Sequence, residues 1–278
     1  MVCFSIIVAN YNNAVFLDAL IESIRKQTYN QWQLVIVDDC STDNSRDILN
    51  NYKCDPQIEV IFHKENLGAS AAFKSAALAA NGEILGMLGA DDALTPQAIE
   101  TMVKLHQLNP EASLICSNIY KCDEQLNILS LWDKYTAPIA HGSLIIDPSV
   151  GSFATFKKEK YLQTEGFDPF FKKALDHDVY LKLEEKGKVL YHPEALYLYR
   201  ANPIGISQNG NWFEATIYSI QARLNAYKRR MYMNNIINLE PMEYRKLVKL
   251  KYHRLSQLNK SKKHYFLFFK YFIYHTVS

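Results

Sequence analysis

None of the five cysteines (Cys3, Cys40, Cys54, Cys116, Cys122) forms a CxxC pair, which argues against a zinc site. Odd in number and scattered, they fit free thiols in a reducing cytoplasm rather than a disulfide framework. No apolar run approaches the ~20 residues that span a bilayer. The opening MVCFSIIVAN has no basic segment and no cleavage site, so no secretory leader is expected. No strand pattern is followed by GxGxxG, which excludes a dinucleotide-binding oxidoreductase. Internal repeats and low-complexity linkers are missing too.

What remains is an ordinary folded composition, 48% hydrophobic and 22% charged over 278 residues, enough for one large domain or one and a half. Net charge is only +2 but unevenly spread. Residues 241–278 hold nine Lys/Arg against one acid, Glu243, so they carry +8 and the first 240 carry −6. A basic tail of this kind suits an acidic partner.

Along the chain, Val2 to Ala9, Trp32 to Val37, Ile58 to Phe62 and Ile84 to Leu88 read as buried strands. Helical spacing falls between them: Phe16 to Ile24, Arg46 to Tyr52 and the Ala-rich Ala69 to Ala80. This alternation predicts βαβ units and a mainly parallel sheet flanked by helices. Thr95-Pro96 predicts a helix start, running to Leu108. Strands are expected over Ser113–Tyr120, Gly151–Phe156, Lys188–Tyr191 and Ala195–Tyr199, and a short helix over Lys158–Glu165. Asp176-His177-Asp178 opens another helix, and Trp212–Met233 and Met242–Leu258 are long helices. Lys121–His141 has no readable pattern.

In parallel sheets ligands bind beyond the carboxyl ends of the strands. Three strands here end in polar clusters: Asn10-Tyr11-Asn12, Asp38-Asp39 and Asp91-Asp92. Carboxylates at the mouth of a buried strand are costly unless paired. A divalent cation with a phosphorylated ligand is a usual reason to keep them.

Six segments stand in order along the chain: Ser5 to Asn12, Val35-Ile-Val-Asp-Asp-Cys-Ser-Thr-Asp43, Asn66-Leu67-Gly68 with Ala71-Ala72, Leu88 to Asp92, Gly166-Phe167-Asp168 followed by Asp176, and Tyr199-Arg200 with Ser207. Together they resemble glycosyltransferase family 2, the inverting GT-A enzymes. The family's usual Pro is Ala9, the first acid of its DxD is Gly89, and Phe73-Lys74 replaces Arg-Asn.

The resemblance implies a GT-A catalytic domain over 1–211, with a nucleotide-binding half (1–95) and an acceptor half (96–211), then a helical basic and aromatic extension over 212–278. It implies one sugar moved from a nucleoside-diphosphate sugar, UDP-type, to a hydroxyl of a glycan or lipid-linked acceptor. Asp176 would be the base, with Asp178 second. Ala9, Tyr11, Asp39, Asn66, Lys74 and Asp91 would bind the nucleotide. Asp91, with Asp92 beside it, would hold Mn²⁺ or Mg²⁺, and Arg200 would reach the diphosphate or the acceptor. Gln208 to Trp212 resembles the QxxRW of processive members, with Asn211 for Arg, and is read as chance.

Asp38 is read as structural. Residues 265–274 hold seven aromatics behind Lys260, Lys262 and Lys263. They suit either an anionic membrane surface, on the cytoplasmic face, or packing on the catalytic domain or across a homodimer. Nucleic acid is not an expected partner. Two other classes stay open: a silent nucleotide-sugar or glycan-binding protein, because of Gly89, and a sugar nucleotidyltransferase. The second is disfavoured because residues 9–13 have neither Gly nor Arg.

Overall fold

The computed structural model describes residues 2–132, 143–146, 150, 153–202, 212–232 and 241–261. The aromatic stretch 265–274, Ser207 and most of 208–212 lie outside them.

The first half of the chain is built as its pattern predicts. Strands β1 (Phe4–Asn10), β2 (Trp32–Asp38), β3 (Ile58–Phe62) and β4 (Ile84–Gly89) alternate with helices α1 (Ala14–Arg25), α2 (Ser45–Asn50) and α3 (Ala69–Ala79). These strands lie in the order β3-β2-β1-β4, all parallel. Their residues alternate between two apolar cores: Ile7, Val35 and Val37 face one, and Ile6, Val8, Leu34 and Ile36 face the other. Alanines 72, 76 and 77 of α3 enter the first core and Leu17, Leu20, Ile21 and Ile24 of α1 the second. A strand covered on both faces has no polar alternation, hence the continuous apolar runs.

The second half joins through β8 (Ala154–Lys157), which pairs antiparallel with β4 on one side and with β6 (Ala112–Cys122) on the other. Beyond β6 come β9 (Lys188–Arg200), parallel to it, and the two-residue β5 (Ala93–Leu94), antiparallel to β9.

Several expectations change here. The helix foreseen from Thr95 is α4 (Ala98–Leu108), whose first residue follows Gln97. Thr95 is held instead by its N–H to Leu196 O at 3.0 Å, extending the β5–β9 pairing, so the chain turns helical only later. The two strands foreseen over 188–199 are one, with Pro193 and Glu194 bulged between the pairs Ser117↔His192 and Asn118↔Ala195. Proline lacks a ladder donor and is tolerated at a bulge. Part of the unreadable 121–141 forms β7 (Ile128–Leu131), which pairs back on β6. Its turn is closed by the Asp123 carboxylate, which accepts from the N–H groups of Gln125 (2.9 Å) and Asn127 (2.8 Å).

Helices α5 (Lys158–Tyr161) and α6 (Leu175–Glu184) follow β8. Helix α7 (Trp212–Tyr232) packs Ile220, Ala222, Leu224, Ala226 and Tyr227 into the same core as α3 and α6. Helix α8 (Pro241–Ser261) adds Leu247. The boundary expected at 211/212 therefore cuts through a shared apolar core. No helix among the described residues is long and apolar enough to cross a membrane.

Candidate active site

The carboxyl ends of β1, β2 and β4 open onto a cleft of about 630 Å³. Asp39, Asp91 and Asp176, from three distant stretches, all line it. Ala9, Tyr11 and Asn66 line it as well. Tyr11 is 45% exposed, so its ring is available to a ligand.

Backbone strain gathers around this cleft. Asn12 (φ 56°), Cys40 (φ 62°) and Ala174 (φ 50°) adopt left-handed conformations next to Tyr11, next to Asp39 and two residues before Asp176. For residues with a Cβ this costs roughly 1–2 kcal/mol each. Contacts hold the turns in place. Asn12 Oδ1 accepts the Thr42 N–H at 2.8 Å, and Ser41 Oγ accepts the Asn12 N–H at 2.9 Å. Asp38 is fully buried and accepts from Asn10 Nδ2 at 2.7 Å and Ser41 Oγ at 2.5 Å, joining the ends of β1 and β2.

Asp39 is buried beside it. Its Oδ1 accepts from Leu67 N (2.9 Å) and faces His63 Nδ1 at 2.7 Å; its Oδ2 accepts from Gly68 N at 2.7 Å. Gly68 sits at φ 90°, a conformation that leads the chain into α3 and that only glycine adopts readily.

Asp91 turns Oδ2 to Asn202 Nδ2 at 2.7 Å. Asp92 is different. It is buried, with Oδ2 accepting the Tyr197 hydroxyl at 2.5 Å and Oδ1 accepting the Arg200 N–H at 2.8 Å. Burial, then the neighbouring Asp91 charge, push its carboxyl well above the usual range. Burial and Asp92 likewise push the Tyr197 phenol up. Both Asp92 oxygens are thus engaged within the fold.

Gly89 has a geometric cause. Its N–H donates to the Tyr197 hydroxyl at 3.1 Å, and a Cβ there would lie 2.6 Å from Asp92 Oδ2. The space of the family's first acid is filled by the Tyr197–Asp92 pair.

Asp176 lies in the first turn of α6, after Ala174, rather than capping the helix. Asp178, two residues on and on another face of the helix, is buried against Lys182 Nζ at 2.6 Å and does not line the cleft. Burial raises its carboxyl, the lysine acting against this. Lys74 does not line the cleft; its Nζ donates to Glu165 O at 3.3 Å. Nor does Arg200, whose Nε donates to Asp91 O at 2.6 Å while its guanidinium lies 4.8 Å from the Phe16 ring centre. These three groups brace the site's walls.

Sequence reasoning missed His63, Lys173, Tyr197 and Asn202. His63 follows the end of β3, so the strand-end rule applied to its three neighbours would have found it. Lys173 lines the cleft paired with Glu214 of α7 at 2.9 Å, a contact that no local pattern announces.

Among the described residues no group of three or more His, Cys, Asp or Glu side chains is placed to hold a metal. The donor set at Asp91 fits a different arrangement, an ion bound by one carboxylate and completed by diphosphate oxygens, as Mg²⁺ and Mn²⁺ sites commonly are.

A sequence profile described as "Glycosyl transferase family 2" matches residues 5–167, more than half of the chain. The chain belongs to glycosyl transferase family 2. It is 31% identical over 199 residues to the chondroitin synthase of Pasteurella multocida, covering 66% of this chain but 19% of that protein. It is 36% identical over 101 residues to the putative teichuronic acid biosynthesis glycosyltransferase TuaG of Bacillus subtilis, covering 36% of this chain and 40% of that protein. The chain thus spans under half of the length of these two relatives.

Among solved structures it resembles S. aureus TarS 1–349 in complex with UDP-GlcNAc (TM-score 0.67, 18% identity, 91% of this chain and 72% of that one). It also resembles the mannosyltransferase PcManGT of Pyrobaculum calidifontis in complex with GDP-Man and Mn²⁺ (TM-score 0.59, 17% identity, 90% and 69%). The shared fold is GT-A.

Proposed function

We propose that the chain transfers a single sugar from a UDP-sugar to a hydroxyl of a glycan or lipid-linked acceptor, with inversion. The observation that carries this reading is the convergence of Asp39, Asp91 and Asp176 on one cleft.

Each residue then has a task. Tyr11 stacks on the base and Asp39 accepts its ring N–H. Backbone at Ala9 and the Asn66 side chain flank the nucleoside. Asp176 takes the proton from the attacking acceptor hydroxyl, a contribution of roughly 10²–10⁴-fold. Asp91 is the residue that would hold Mn²⁺ or Mg²⁺, and the ion when bound offsets charge on the departing diphosphate. Asp92, Tyr197 and Arg200 keep the Asp91 turn in shape.

A panel of nucleotide-sugar donors, scored for released nucleoside diphosphate with Mn²⁺, Mg²⁺ or chelator, tests the reading. Release from a UDP-sugar that stops with chelator supports it. No release from any donor, together with no binding of UDP, contradicts it. For the basic stretch 241–278 we assign an anionic membrane surface. Co-sedimentation with phosphatidylserine vesicles should fall when Lys260, Lys262 and Lys263 are changed to Glu, and equal binding counts against it.

A further inference from the structure

We propose that His63 is a positioning residue that decides which nucleobase edge Asp39 accepts; the proposal rests on the donor-nucleotide reading above. A carboxylate offers about four acceptor directions. Oδ1 of Asp39 uses two, toward His63 Nδ1 at 2.7 Å and Leu67 N at 2.9 Å. Oδ2 uses one, toward Gly68 N at 2.7 Å. A single Oδ2 direction is left for a ligand.

The histidine's own geometry fixes this. Facing an acceptor-only carboxylate, Nδ1 carries the proton. Nε2 lies 3.0 Å from Ser75 Oγ on α3, so the ring is pinned at both nitrogens. Asp39 is thereby held between the end of β3 and the start of α3. It can neither rotate nor present both oxygens.

Bases differ in what they ask of such a group. Guanine presents adjacent N1–H and N2–H donors, which a carboxylate takes with two oxygens. Uracil presents one N3–H, which needs one. With Oδ1 saturated, His63 selects the single-donor edge. Removing its proton donor frees an Oδ1 direction and loosens the carboxylate, so affinity for uridine falls and discrimination against guanosine narrows.

The test uses the full chain with MnCl₂, titrated calorimetrically with UDP and, separately, GDP. Wild type should bind UDP in preference to GDP. His63→Phe keeps the ring and removes both nitrogens; it should weaken UDP binding roughly ten-fold and shrink the UDP/GDP ratio. His63→Asn places an amide nitrogen near the Nδ1 position and should retain most of the wild-type ratio. Ser75→Ala, which removes only the outer anchor, should shift the ratio the same way by less, and it carries the test if His63→Phe does not fold. A folded His63→Phe with an unchanged ratio, or a Ser75→Ala with an unchanged ratio where the phenylalanine variant is lost, overturns the role of His63 alone. Wild type that binds neither nucleotide overturns the donor reading itself.

Discussion

The two sides of the cleft, donor and acceptor in the proposed reading, are built by different means. On the donor side, four parallel strands end together, and each site group follows within two residues of a strand end: Tyr11 after β1, Asp39 after β2, His63 after β3, Asp91 after β4. On the acceptor side, Asp176 sits on a helix whose position is set from far along the chain. Helix α7 grips α6 through Ser219 to His177 (2.7 Å), Arg229 to Glu185 (3.0 Å) and Arg230 to Glu184 (2.7 Å). The first arrangement needs only local sequence and the sheet; the second needs side chains roughly forty residues away.

This contrast can be broken by separating binding from turnover. The largest effect should come from Asp176→Asn: turnover falls roughly 10²–10⁴-fold, while UDP affinity by calorimetry stays at the wild-type value. A parallel loss of UDP binding would put Asp176 on the donor side.

Arg230→Met tests the remote grip. Arg230 is buried and also donates to Ser143 Oγ at 2.9 Å and Leu181 O at 3.1 Å. Its loss takes the cation from Glu184 while Arg229 still holds Glu185, a destabilisation of roughly 3–5 kcal/mol read by chemical denaturation. Residual folded protein should keep UDP affinity and lose turnover.

A third effect lies at the seam, where β8 joins the two halves. His106 of α4 donates from Nε2 to Thr155 Oγ1 at 3.0 Å, since that hydroxyl gives its own proton to Ile115 O. Its Nδ1 is buried without a partner, and burial, then Lys157, lower its pKa from 6.5 to about 4. A base with a depressed folded pKa is held neutral when folded. Its contribution is fully present above pH 6.5 and is lost as pH falls toward 4. That loss is worth roughly 3 kcal/mol. Denaturation curves between pH 7 and 4 should flatten in His106→Gln.

The smallest effect should be Tyr197→Phe. Removing a hydroxyl that bridges Gly89 N–H and Asp92 should cost roughly 1–3 kcal/mol of stability and weaken donor binding through the Asp91 turn. Gly89→Asp should be poorly tolerated, because its Cβ would lie 2.6 Å from Asp92 Oδ2 and 3.2 Å from the Tyr197 hydroxyl.

Legibility in the sequence follows the same division. Apolar runs and their polar ends gave β1 to β4 and located Asp39 and Asp91, because parallel strands covered on both faces leave an uninterrupted pattern. The Asp91 and Asp92 carboxylates were indistinguishable as letters. Tyr197, more than a hundred residues away, holds Asp92 buried, while Asp91 is held by Asn202 instead. Lys74 and Arg200 were placed by motif position, yet their reach is spent on Glu165 and Asp91 carbonyls. Pro193 suggested a break where β9 only bulges, since register against β6 is a pairing property invisible in one strand.

The most direct measurement is UDP titration in MnCl₂ alongside donor turnover for Asp39→Ala, Asp91→Ala and Asp176→Ala. If the three carboxylates serve one nucleotide and its acceptor, the first two lose UDP affinity and all three lose turnover, with Asp176→Ala binding UDP normally. UDP affinity untouched by both Asp39→Ala and Asp91→Ala would contradict a shared site.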